Sequence, residues 1–382
     1  MTVHSALNRD ARHQADISPV REDRLDEVEL QVEIVRSRER FEALAPDWDA
    51  LAVQQETPLA LHGWYSAALD AQANLPLDLA IALVWREKRL VGAAPLVRAS
   101  TGPRRLVPID AFAGEPDRIL YADRSALRAL AAACARLGEP VLWRRFSAPS
   151  EDCDAFFGEL RKHGPAVMRR HYQTSRASLP ASLAELTASM SKSRRYAIRR
   201  KLKAIGKEGG AELEMIAPAE EMVEPLLARF ALIEDAGWKG RAGTSMLGDD
   251  TMARFVTQVA RTFARTGDTQ FCFLKIGGSD AAGRILLRNG SCWCELKIGY
   301  NEQFGRFSPG IVLMHEIFGR AAEHGIRSYD FLGVSEDWQN HWPHERRWDY
   351  RLATYPLSPR SVGAVGEDAW RLAGNLVRRW RG

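Results

Sequence analysis

The chain has 382 residues, 46% of them hydrophobic and 27% charged, with a formal net charge of +4. That balance excludes a disordered or fibrous polypeptide, leaves room for two to three domains with sizeable cores, and is too mild a positive charge to argue for nucleic acid by itself. The five cysteines (Cys134, Cys153, Cys272, Cys292 and Cys294) are odd in number, form no C-x-x-C pair and lie mostly in apolar runs, which predicts reduced core thiols rather than a disulfide framework or a metal site. No run of about 18 apolar residues occurs and the first 28 residues carry no apolar signal core, so a cytoplasmic protein is expected.

Residues 1–29 are polar, charged and without period, and are expected to be a disordered tail. The first half, residues 30–180, begins with a strand at 30–35. Helical spacing of Phe41, Leu44, Trp48 and Leu51 marks residues 39–53, and a second helix is expected at 64–71. Runs at 79–85 and 90–98 flank Arg86-Glu87-Lys88-Arg89 as a hairpin. An alanine-rich helix at 125–137 follows, and strands at 141–146 and 167–179 bracket a helix at 151–163.

The second half, residues 181–360, opens with a helix from Leu183 that runs into a strongly basic segment, 192–207, carrying one apolar stripe of Ile198, Leu202 and Ile205. Helices are predicted at 219–236, ending at Gly237, and at 251–266. From 271 apolar and polar residues alternate in three runs broken at Gly277-Gly278 and Asn289-Gly290, a meander of antiparallel strands. The period then becomes helical from Pro309 to about His324, with Ser308 as N-cap, Pro309 at the first position and Gly325 past the end. A strand at 328–334 and another at 346–357 precede a C-terminal segment, 361–382, with a final helix at 367–381 carrying Trp370, Leu372, Leu376, Val377 and Trp380. The N–H groups of Gly310, Ile311 and Val312, opening a helix where a loop arrives, make an anion site with Arg306 and the Ser308 hydroxyl.

This order of strand, loop, helix and strand resembles the acyl-coenzyme A binding half of the GNAT acetyltransferase superfamily. More narrowly it resembles the CelD-type acetyltransferases and their FemAB-like relatives through SPGIVLMHEIFGRAAEHGIRSYDFLG at 308–333, FEALAPDWDALA at 41–52, Trp64, SRRYAIRRKLKAIGKEG at 193–209 and GWKGRAGT at 237–244. The glycine-rich Arg/Gln-x-x-Gly-x-Gly/Ala signature of ordinary GNAT enzymes is absent, its place taken by NEQFGRFSPG at 301–310. The resemblance implies an α+β fold of two GNAT-like halves, each a mixed, mostly antiparallel sheet flanked by helices. It also implies acyl-coenzyme A, commonly acetyl-coenzyme A, as co-substrate without a metal, with Arg306, Ser308, Gly310 and Ile311 as its binding residues. Envelope polysaccharide biosynthesis is the context it suggests.

Acyl transfer needs a base for the attacking amine or hydroxyl and a donor for the developing oxyanion. In strict alternation Glu295 and Lys297 share one face of their strand, opposite Cys294, Leu296 and Ile298. Glu295 and Asp330 are the candidate bases, Tyr300 a proton donor to the leaving thiolate, and Lys297, Trp238 and Lys239 substrate contacts. The basic segment with Tyr196 as its lone aromatic reads as a solvated helix, so nucleic acid is not expected as partner. The cluster Trp338, Trp342, Trp348, His341 and His344 lacks ligand spacing for zinc and is expected to pack as a lid or subunit contact. The expected activity is transfer of an acyl group from a thioester to a small-molecule or saccharide acceptor, with peripheral contact to a membrane or synthase complex as a further expectation. FemAB-like aminoacyl transfer from tRNA and a non-catalytic scaffold are the alternatives.

Overall fold

A computed structural model of the chain describes residues 29–381; the tail expected at 1–29 lies outside the described residues except for its last position. The first half carries β1 (Leu30–Val35), α1 (Arg38–Glu42), α2 (Ala45–Ala52), α3 (His62–Ala71), β2 (Ile81–Arg86), β3 (Arg89–Ala94), β4 (Leu96–Arg98), β5 (Leu106–Pro108), β6 (Leu120–Tyr121), α4 (Arg124–Arg136), β7 (Val141–Phe146), α5 (Ser150–Lys162) and β8 (Ala166–Ser178). The second carries α6 (Leu183–Ser189), α7 (Lys192–Gly206), β9 (Ala211–Ile216), α8 (Val223–Asp235), α9 (Trp238–Arg241), α10 (Asp250–Ala264), β10 (Thr269–Ile276), β11 (Ser279–Asn289), β12 (Cys292–Tyr300), α11 (Pro309–Arg320), β13 (Ser328–Asp330), β14 (Glu345–Thr354) and α12 (Val362–Arg381).

Where the elements depart from expectation, local chemistry explains most of it. The helix expected at 39–53 breaks in two because Pro46 starts a new one in the first turn of α2. The strand expected at 90–98 is cut at Pro95, and the chain changes sheets there, β3 pairing with β2 and β4 with β5. The long helix from Leu183 is divided at Ser191, whose hydroxyl accepts from the Arg194 N–H and caps α7. Strand β9, AELEMI, was not anticipated; it alternates glutamates along the edge of its sheet, as edge strands do to discourage further pairing.

The fold is α+β, with mostly antiparallel sheets flanked by helices. One sheet has the order β1-β2-β3-β6 and the other β4-β5-β7-β14-β8-β13-β12-β11-β10-β9. Strand β14, late in the sequence, inserts between β7 and β8 of the first half, and the far end of β8 pairs with β13. The larger sheet is thus continuous across the boundary expected near residue 181. The halves also share a core, in which Trp64 of α3 meets Phe255 of α10 edge to face at 4.9 Å. All five cysteines are buried free thiols. Among the described residues no helix is long and apolar enough to cross a membrane.

Two irregularities shape the middle of this sheet. Strands β12 and β13 run parallel but pair only from Cys292↔Ser328 to Cys294↔Asp330; beyond that β12 continues to Tyr300 while the chain after β13 leans toward β8, the Phe331 N–H donating to Ser175 O and the Ser335 N–H to Gln173 O. A wedge opens between them. Between β11 and β12 the register slips: Leu286 faces Glu295 but Ile285 faces Lys297, leaving Leu296 as an extra residue. A bulge reverses the alternation beyond it.

Candidate active site

The wedge holds a cavity of about 580 Å³, within the range usual for small-ligand sites. It gathers Trp238, Lys239, Tyr300, Ser308, Gly310 and Ile311 of the residues expected from sequence, and adds Glu234, Arg284, Glu336 and Trp338. Helix α8 lies close on β12: a Cβ at Gly299 would stand 2.9 Å from Glu234 Cα, and one at Gly237 2.7 Å from Tyr300 O, so neither position has room for a side chain. The Lys239 ammonium bridges Glu234 Oε1 and Ile298 O, both at 2.8 Å. It ties the end of α8 to the open edge of β12, while Trp238 remains half exposed.

The anion site is built differently from its sequence reading. Ser308 adopts φ 50° and ψ 58°, the left-handed region that non-glycine residues seldom occupy, and its hydroxyl makes no capping bond. Its carbonyl accepts from the Ile311 and Val312 N–H groups at 3.0 and 3.2 Å. Of the expected trio only the Gly310 N–H has no hydrogen bond among the described residues. Arg306 is corrected too: its exposed guanidinium points to Glu208 Oε1 at 3.2 Å, outside the cavity lining.

The bulge overturns the expected shared face of Glu295 and Lys297. Glu295 points to the α11 side, where it forms a buried ion pair with Arg284 and accepts from the Tyr329 hydroxyl. Arg284 in turn donates to Gly310 O at 3.3 Å and stacks near the Trp338 ring, 5.3 Å away. Glu295 is therefore a positioning carboxylate that holds a cation at the first turn of α11, and it does not line the cavity.

Lys297 points the other way, toward the seam between the halves. Burial depresses its pKa, with the neighbouring Lys239 acting in the same direction. Across the seam stands Glu115, whose Oε2 is buried without a partner among the described residues. Burial pushes its carboxyl up to about 7 although Arg145 and Lys297 pull it down; Asp330 and Asp110 act with burial. Asp117 is likewise raised to about 7 and Asp110 to about 6, burial being the main cause for each. Arg145 staples this region: it donates to Gly114 O, to Asp349 Oδ2 at 3.0 Å and to Leu332 O at 2.8 Å. Leu332 itself has φ 52°, and its N–H is held by Asp330 Oδ1 at 2.9 Å. Asp330 thus both fastens the turn at the closed end of the wedge and faces the seam.

Sequence reasoning passed over Glu115, Asp117, Asp110 and Arg145. The segment IDAFAGEPDRIL at 109–120 does carry a signal, three carboxylates in a glycine–proline loop bounded by apolar residues. Among the described residues no cluster of histidine, cysteine and carboxylate suited to a metal is present.

Residues 192–340 match the family model described as an acetyltransferase (GNAT) domain, a segment that runs from the basic helix α7 through the wedge to the residues just past Trp338. Among solved structures, FemX superposes with a TM-score of 0.57 and 14% identity, covering 84% of this chain and 96% of its own. The C-terminal domain of a putative lysylphosphatidylglycerol synthetase from Agrobacterium fabrum gives 0.51 and 11% identity, covering 87% and 97%. No curated protein sequence matches the chain. The chain has the two-halved GNAT fold, and at such identities the likeness to these two structures is one of fold.

Proposed function

We propose that the protein is an acyltransferase that takes an acyl group from acyl-coenzyme A, bound in the wedge, and passes it to an amine or hydroxyl entering along the seam between the halves. The observation that carries this reading is the wedge between β12 and the chain after β13, closed at one end by Asp330 and flanked at the other by the unpartnered Gly310 N–H of α11. A helix opening of this kind favours a diphosphate. The acceptor's nucleophile attacks the thioester carbonyl, its proton passes to Asp330 or Glu115, and the departing thiolate takes a proton from Tyr300. Lys297, in its protonated form a partly buried donor on the seam face of β12, is suited to the developing oxyanion. The CelD-type resemblance supports a saccharide acceptor, and a coenzyme A donor implies a cytoplasmic protein. The exposed basic helix α7, whose Lys201 Nζ donates to Arg306 O beside the loop at 2.6 Å, supports aminoacyl-tRNA as the second donor reading.

Titration calorimetry decides between them. Acetyl-coenzyme A is expected to bind with a micromolar Kd, about −8 kcal/mol. Absence of heat with acetyl-coenzyme A, together with retardation of tRNA that fades steeply with salt, would move the donor to aminoacyl-tRNA; absence of both would leave a non-catalytic scaffold.

A further inference from the structure

A second cavity, about 820 Å³, lies on the first-half side of Asp330, between the α5 start, the β8–β14 ladder and the segment that includes Thr57. Its charge is one-sided. Arg118, Arg170, Arg176 and Arg347 line it against a single carboxylate, Asp330, one of whose oxygens is already committed to Leu332 N–H. Arg170 has no carboxylate partner among the described residues and lies 5.4 Å from the Trp348 ring. Among the described residues the only carboxylates within ion-pair distance of Arg347 and Arg176 are the exposed Glu345 and Glu56, each at 3.3 Å, contacts that water and salt weaken; Arg176 also donates to Ser328 Oγ at 3.0 Å. The Nε of Arg118 is buried with no acceptor among the described residues. At the rim stands the start of α5, where Pro149 offers no side-chain cap and where Glu151 pairs with Arg124 and Asp152 accepts from the Tyr121 hydroxyl.

Guanidinium groups with N–H donors to spare around one cavity match phosphate or carboxylate oxyanions, which they bind through paired N–H donors. Trp348, Tyr121 and Tyr350 give the same cavity flat faces. Asp330 lines this cavity and also marks the point where β12 and β13 stop pairing, so a molecule held here lies on the side of the sheet from which the closed end of the wedge is approached.

We infer that this cavity binds the acceptor by a phosphoryl group carried on a ring, with the ring against Trp348 and the nucleophile turned toward Asp330. The inference rests on the wedge being the acyl-transfer site, but the anion site is testable without it. Calorimetry with inorganic pyrophosphate, run with and without saturating coenzyme A to fill the wedge, is expected to show binding that coenzyme A leaves unchanged. The double variant Arg170→Ala/Arg347→Ala, which removes two exposed side chains and no buried contact, is expected to bind at least about tenfold more weakly, the loss of charge-assisted contacts, with an unshifted melting temperature. No pyrophosphate binding, or binding that coenzyme A abolishes and the double variant keeps, would overturn the site. If coenzyme A fails to bind while arginine-dependent pyrophosphate binding persists, the donor reading falls and the anion site stands. Glucose 1-phosphate is expected to bind more tightly than inorganic phosphate, with the gain lost in Trp348→Ala; equal affinities would overturn the role of the ring.

Discussion

The two faces of β12 treat charge in opposite ways. On the α11 face the Glu295 carboxylate has Arg284 and Tyr329 as partners, and of these three side chains only Arg284, at its Nε, has a buried polar atom without a partner among the described residues. On the seam face, Lys297 and Glu115 lie in surroundings that disfavour the charged form of each, and a Glu115 oxygen has no partner among the described residues. A buried carboxylate with partners fixes geometry, and one without them is held ready for something that is not protein. The first face therefore sets the shape of the wedge, and the second is where a proton can move.

The α11 face gives the largest expected effect. Glu295→Gln leaves the Arg284 guanidinium buried with no counter-charge, and breaking a buried pair on one side costs roughly 3–5 kcal/mol. Urea unfolding is expected to show a loss of that size, and Glu295→Gln/Arg284→Met is expected to recover much of it. A loss below about 1 kcal/mol in the single variant would mean that the carboxylate is not the partner holding Arg284, and the contrast between the faces would fail.

Much of the second half was legible because its elements announce themselves locally. The meander shows period two with Gly-rich turns, α11 shows helical period between Pro309 and Gly325, and GWKGRAGT and the Ser308 turn do reach one cavity. What stayed hidden depends on pairings between distant segments. The bulge at Leu296 is a property of the β11–β12 register, not of β12 alone, so strict alternation put Glu295 and Lys297 together. Insertion of β14 between β7 and β8 joins segments about 200 residues apart, and no periodicity encodes it. Glu115 lies in a loop with no period, and only the folded seam reveals that its carboxyl is starved of partners.

The seam face is tested next, by pH. Glu115, with a folded-state pKa near 7 against an ordinary glutamate value, favours folding while protonated. Its contribution is complete below the unfolded pKa, about 4.3, and is lost as pH rises toward and through 7. Melting temperatures are expected to decline over that interval, with Asp117 and Asp110 contributing in the same direction. Glu115→Gln is neutral throughout, so its decline is expected to be shallower and its melting temperature at pH 8 higher than that of the unchanged protein. A destabilised variant with an unaltered pH slope would show that the carboxyl is ionised and partnered in the native state, removing it as a proton acceptor.

The smallest effect is expected at Arg306, which from sequence alone looked like the principal cation of the anion site. In the fold its side chain is 67% exposed, paired with a Glu208 side chain that is itself 47% exposed, and it lies 4.6 Å from the Phe307 ring. Exposed pairs of this sort contribute about 0–1 kcal/mol. The cation at the first turn of α11 is instead Arg284, held by Glu295 and donating to Gly310 O. Arg306→Ala is therefore expected to change the Kd for acetyl-coenzyme A by less than about threefold, under 1 kcal/mol, with no measurable change in melting temperature. Calorimetry that found a tenfold loss would return the Arg306 guanidinium to the diphosphate, and would show that the loop at 301–308 closes on its ligand rather than receiving it in the conformation described above.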